Sequence, residues 1–381
     1  MRSTDNLNEA ARVMTICNAC RYCEGHCAVF QAMELRLEFN TANLDYLANL
    51  CHNCGSCYHN CQYAPPHAFN LNVAAVFADL RQENYAAYAW PAPLGRLFAN
   101  NGLWVSIITA LMIGLFLGAG SLLTGADFFS AHPNQFYGVI SHNVLVTLFG
   151  SVGIFVLLAL SLSIRKFWRA MSLPSPFSLD WGSVRAGVKA ALSLKYLDGG
   201  NGQGCSYPNE KPSMLRRWFH QATFWGFMLC FAATSVATLM HYGLQLPAPY
   251  GYLSLPKLLG ITGGLGLIVG PIGLMVLKRK ADSAVKGRLN AGMDSSFLVL
   301  LLATSVTGLL LMLVSKSTWV GPALCLHLGF VMALFLSMPY GKFVHGFYRL
   351  IALVAFAIEQ EKHQAVVGVV EPELIELKSL G

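Results

Sequence analysis

Residues 17–27 read CNACRYCEGHC and residues 51–61 read CHNCGSCYHNC. Both runs follow the spacing C-x2-C-x2-C-x3-C, with Cys17, Cys20, Cys23 and Cys27 in the first and Cys51, Cys54, Cys57 and Cys61 in the second. Bacterial two-cluster ferredoxins use this spacing: three close thiolates grip one [4Fe–4S] cube, and the fourth cysteine serves the other. That rule groups Cys17, Cys20 and Cys23 with Cys61, and Cys51, Cys54 and Cys57 with Cys27. Ala28 and Gln62 follow the fourth cysteines, where the ferredoxin run has proline, so the spacing alone leaves the placement of the fourth cysteines open. A zinc site takes two ligands from each of two knuckles, and eight cysteines oversupply it. The expectation is two [4Fe–4S] clusters in a helical head spanning residues 1–100.

Beyond the head the composition changes. Of 381 residues, 55% are apolar and only 12% charged, about half the charge of an average soluble domain, which excludes a wholly soluble or disordered chain. Six apolar runs, at 103–124, 139–164, 218–244, 255–277, 297–317 and 322–341, are each long enough to cross a hydrocarbon core of about 30 Å as a helix. The opening MRSTDNLNEAARVM has no secretory-signal pattern. With the N-terminus inside, six alternating helices leave every lysine and arginine on the inner side except Lys257 and Lys316, as the positive-inside rule requires. The net charge of +7 is thereby accounted for without nucleic acid, which would need a basic stripe on one face. The expected class is mainly α. A two-cluster ferredoxin-like domain precedes a six-helix transmembrane bundle at 101–350 and a cytoplasmic tail at 351–381. Both termini are cytoplasmic, and the locale is a bacterial inner membrane. On that side thiols stay reduced, which argues against disulfides.

Five histidines fall in or beside the apolar runs: His142, His220, His241, His327 and His345. Polar groups at such positions are costly and mark function. His327 and His345 are five whole turns apart if one helix carries both, about 27 Å, and so would offer one axial ligand to each of two stacked haems. The topology puts His220 and His345 together at the inner end, the expected ligands of a b-type haem. His327 is left at the outer level with two alternatives, His241 or His142, for a second haem. His26, His52, His59 and His67 read as hydrogen-bonding neighbours of the cysteines or surface residues, and Cys205, Cys230 and Cys325 as packing residues. Basic and apolar residues alternate at helical spacing over 184–197, suggesting an interfacial helix. The glycines of the fourth run suit close helix packing.

The stretch HLGFVMALFLSMPYGKFVHGFYR at 327–349 resembles the last membrane helix of the respiratory nitrate reductase gamma subunits, which are dihaem cytochromes b. The likeness runs from about residue 218 to 349. It implies ligation of the inner haem at His220 and His345, whereas the earlier ligand of the other haem falls near Cys230, which is not a histidine. The whole chain resembles the tricarballylate (citrate) utilisation protein B family. That resemblance implies reoxidation of the FADH2 of a partner flavoprotein, tricarballylate dehydrogenase, with electrons leaving through the iron–sulfur clusters and haem to quinone.

No catalytic triad, carboxylate pair or phosphate loop stands in a suitable context, so any substrate chemistry belongs to a partner. Two alternatives are a tricarboxylate carrier or membrane anchor with structural or sensory clusters, and the electron-transfer subunit of a different, heterodisulfide-reductase-like respiratory complex.

Overall fold

A computed structural model describes residues 3–123, 136–171, 180–199, 202–246, 250–287 and 291–379, the side chains at 100–101, 136, 291 and beyond 364 excepted. Residues 200–201 of the glycine-rich loop lie outside this set. Among the described residues there is no strand, only an isolated antiparallel bridge between Cys205 and Ser213.

Five helices build the head: α1 (Thr4–Cys20), α2 (Ala28–Glu34), α3 (Thr41–Leu50), α4 (Ser56–His59) and α5 (Val73–Tyr88). Their starts are set by side chains that accept the orphan amides of the first turn. Ser3, Asn40 and Asn72 cap α1, α3 and α5 through the amides of Asn6, Asn43 and Ala75. Val13, Met14, Phe30, Met33, Leu47, Leu50, Phe77 and Leu80 form the core they enclose.

The chain continues through α6 (Ala92–Leu123), the short α7 (Phe136–Val139), α8 (His142–Ala170), α9 (Trp181–Ser193), α10 (Leu215–Tyr242), α11 (Leu255–Lys280), α12 (Ala291–Leu313), α13 (Val320–Ser337) and α14 (Val344–Ser379). Six helices are long and apolar enough to cross a membrane: Gly102–Leu123, His142–Ala170, Leu215–Tyr242, Leu255–Lys280, Gly292–Leu313 and Val320–Ser337. These match the six apolar runs to within a few residues. The interfacial helix expected at 184–197 takes the form of α9 and a following 3-10 turn, Lys195–Leu197.

Glycine lets two of the membrane-length pairs approach closely. A Cβ on Gly270 of α11 would lie 2.3 Å from Thr223 Oγ1 of α10, and one on Gly329 of α13 would lie 2.3 Å from the Ala110 carbonyl of α6. Small residues at crossings are how helices pack where no hydrophobic force separates them from lipid.

One expectation changes. His327 and His345 do not share a helix: α13 ends at Ser337 and α14 begins at Val344. Pro339 lies between them; it lacks an amide to donate, and its ring crowds the carbonyl four residues back. The chain turns instead through bonds from the Tyr340 and Gly341 amides to the Ser337 carbonyl, so the five-turn argument does not apply. The segment assigned as the tail begins within α14, and its first turns pack on the head. Leu353 and Phe356 of α14 join its core, and Glu359 pairs with Arg36 at 2.5 Å and accepts from the Tyr46 hydroxyl at 2.8 Å.

Candidate metal centres

Local structure aims the cysteines inward. Cys17 and Cys20 occupy the last turn of α1, which Arg21 closes in a left-handed conformation (φ 55°), its amide bonded to the Cys17 carbonyl. The chain then loops back so that Cys27 caps α2. In the second motif Cys51 terminates α3, Asn53 (φ 53°) and Gly55 (φ 81°) turn the chain, and Cys57 rides on α4. Gly55 is sterically required, since a Cβ there would lie 2.6 Å from the Ser206 carbonyl. The Asn53 amide points at Cys51 Sγ at 3.3 Å.

The eight cysteines fall into two clefts. Cys17, Cys20, Cys23 and Cys61 line the first, of about 330 Å³, with Tyr22, Phe30 and Tyr63. Cys27, Cys51, Cys54 and Cys57 line the second, of about 420 Å³, with His26, His52 and Tyr196. The fourth cysteine of each motif has thus crossed to the other motif's cleft. All eleven cysteines are free thiols.

The electrostatics of each set bear on what could occupy it. Burial, followed by the potential of Cys23, Cys61 and Cys20, pushes the Cys17 thiol up to about 12. Cys23 is pushed up to about 12 by burial and by Cys61 and Cys20. Burial and their neighbours likewise raise Cys27 and Cys57. Four thiolates so placed repel one another and need a cationic core to exist together. Among the described residues no three His, Cys, Asp or Glu side chains converge as a single metal ion would require. Each cleft thus offers four sulfur donors, the number of corners a [4Fe–4S] cube has to ligate.

The nearby histidines divide. His52 borders the second cleft, and burial, then the positive charges of Arg349 and Arg216, hold it well below its usual pKa. His26 meets the Asn60 amide at 3.1 Å. His67 lies exposed against Tyr63 and Phe69. Cys205 is fully buried, Cys325 is buried, and Cys230 lies against Gly263 at the α10–α11 crossing.

In the membrane-length body His220 and His345 face each other, their ring centroids 6.0 Å apart and their planes at 78°. His345 Nδ1 bonds to the Lys342 carbonyl, which leaves Nε2 with its lone pair for a metal. His220 Nδ1 is buried without a partner. At the far end of α10, His241 stacks on His142 with centroids 4.9 Å apart and planes at 18°. The structure therefore brings His142 and His241 to each other and not to His327. His327 Nδ1 lies 3.1 Å from Thr307 Oγ1, and its ring packs on Gly308.

Two features escaped the sequence reading. Asp294 sits between Lys278 Nζ at 3.3 Å and Lys342 Nζ at 2.9 Å. Arg81, Arg216 and Arg349 converge on the backbone carbonyls of residues 48–53. A signal for two of these arginines was present: Arg216 precedes His220, and Arg349 follows His345, by four residues, the spacing that shares a helix face.

A helical head with ferredoxin spacing, joined to six membrane-length helices, defines the class: a membrane-type protein carrying a ferredoxin-like domain. Residues 10–87 match the family model described as citrate utilization protein B Fer4-like domain, and residues 100–366 match citrate utilization protein B. The chain belongs to the citrate utilization protein B family. It is 47% identical over 354 residues to citrate utilization protein B of Escherichia coli, covering 93% of each chain. No solved structure matches it.

Proposed function

We propose that this chain is the electron-transfer component of a citrate or tricarballylate utilisation pathway. It reoxidises the reduced flavin of a partner dehydrogenase, tricarballylate dehydrogenase by resemblance, and delivers the electrons to the quinone pool. The observation that carries the reading is the sorting of eight free cysteines into two clefts of four, each completed by a cysteine from the other motif. Cys17, Cys20, Cys23 and Cys61 would hold one [4Fe–4S] cluster, and Cys27, Cys51, Cys54 and Cys57 the other. His220 and His345, with ring centroids 6.0 Å apart, would hold a b-type haem, whereas His142 and His241 stack on each other and do not offer that spacing for a second. When bound, these groups carry single electrons. The protein orders them between a solvent-facing head and the bilayer. The distribution of lysine and arginine supports a cytoplasmic head in a bacterial inner membrane.

Iron, acid-labile sulfide and the reduced absorption spectrum of the purified protein test this. The expected result is about eight non-haem irons per chain and a b-type α band on dithionite reduction. Substantially fewer irons would remove the two-cluster reading, and a missing α band the haem reading.

A further inference from the structure

Three arginines from three helices reach one short stretch of backbone. Arg81 of α5 donates to the carbonyls of Ala48 at 3.0 Å and Cys51 at 2.9 Å. Arg216 of α10 donates to Asn53 at 2.6 Å and His52 at 2.9 Å. Arg349 of α14 donates to Leu50 at 3.3 Å and also to Cys51. Arg81 is only 5% exposed and the other two are half-buried.

Among the described residues no carboxylate stands within ion-pair distance of any of the three; the ion pairs use Arg12, Arg36, Lys278 and Lys342 instead. Their hydrogen-bond partners are neutral carbonyls, and the carboxylate whose charge reaches Arg81, Asp294, is itself paired with Lys278 and Lys342, which leaves a local positive field in a shielded place. The stretch they hold includes Cys51 and runs along the second cleft. His220, close enough to act on His52, lies one turn from Arg216, and His345 lies one turn from Arg349. The first cleft has different surroundings: Glu24, beside Cys23, is hydrogen-bonded to Glu34, with Arg21 as the nearby cation.

A cube held by four thiolates is anionic and gains a further negative charge on reduction. Nearby positive charge favours the reduced form and raises its potential; nearby carboxylates lower it. We propose that Arg81, Arg216 and Arg349 are positioning residues that set the centre in the second cleft at a higher reduction potential than the centre in the first. The downhill direction for an electron then runs from the solvent-facing cleft toward His220 and His345. This inference rests on the cluster reading above. Each electron taken from reduced flavin reduces the first centre; its passage onward reoxidises the first and reduces the second, with no bond made or broken at cysteine.

Potentiometric titration of the full-length, detergent-solubilised protein, followed by electron paramagnetic resonance, tests the proposal. Cys20→Ser and Cys57→Ser assign the two signals. In the wild type the second-cleft signal is expected to have the higher midpoint potential. Arg81→Gln and Arg349→Gln, made singly, are expected to lower that potential and leave the first unchanged, while Arg81→Lys restores it. A second-cleft potential below the first, equal shifts of both signals, or no shift in the glutamine variants overturns the proposal. Should the glutamine variants not fold, the wild-type order of the two potentials decides. A chain that binds no iron removes the cluster reading itself, and iron analysis of the same sample separates that outcome.

Discussion

The carbonyl of Cys51 accepts a hydrogen bond from Arg349, which stands one helical turn beyond His345 on the last helix. The head is thus tied to the membrane-length body at a residue that lines the second cleft. A change at either histidine can be read separately from the cysteines, because neither histidine lines a cysteine cleft. His345→Ala is expected to abolish the b-type α band while both iron–sulfur signals persist. Spectra of the reduced variant check this, and loss of all signals together would point to a folding role instead.

Crossing of the fourth cysteines makes a second, specific prediction. Cys61→Ser should perturb the same resonance as Cys20→Ser, and Cys27→Ser the same one as Cys57→Ser. If Cys61→Ser instead altered the signal that Cys57→Ser alters, each motif would hold its own cluster and the grouping by cleft would be wrong.

The contact of Glu359 with Arg36 and Tyr46 ties the C-terminal helix to α2 and α3. Hydrogen bonds to charged groups contribute about 1.5–3 kcal/mol, discounted here because Glu359 is partly exposed. Glu359→Gln should therefore cost the head on the order of 1 kcal/mol, and truncation before Leu353 considerably more through the lost apolar burial. Thermal unfolding followed by loss of cluster absorbance measures both. Equal midpoints for the full and truncated chains would show the contact to be idle.

Glu34 gives a pH dependence of definite sign. Burial, then its hydrogen bond to Glu24, raises its carboxyl from 4.5 to about 7. The folded state therefore binds a proton that the unfolded state releases. The contribution is fully present below about 4.5, declines as pH rises, and is lost above about 7. Head stability measured between pH 5 and 8 should fall less steeply in Glu34→Gln than in the wild type; parallel curves would exclude Glu34 as the source.

Sequence legibility followed the range of the interactions involved. Cysteine spacing is a local property, so both motifs could be read directly, and so could the six apolar runs, whose length and composition are local too. The grouping of Cys61 with Cys17 followed from the ferredoxin rule, but the chain lacks that rule's proline, and a decision needed tertiary structure. The break between His327 and His345 was visible in Pro339, yet periodicity counted across it as though the helix were continuous. The tail escaped for another reason. No pattern within one helix reveals that Glu359 will meet Arg36 and Tyr46. Arg81, Arg216 and Arg349 entered the sequence reading only as charges on one side, and a count of charge by side does not tell a lipid-facing arginine from one aimed at a carbonyl.

The exchange of Cys27 and Cys61 between clefts also bears on biogenesis. Neither motif by itself encloses a set of four thiols, so a nascent chain that has emerged only through residue 50 offers a scaffold machinery three close cysteines and one stray. Loading has to wait for the second motif, after which both sites are completed by the same folding event. On the two-cluster reading, each motif therefore has to fold against the other before either site has its full set of four thiols.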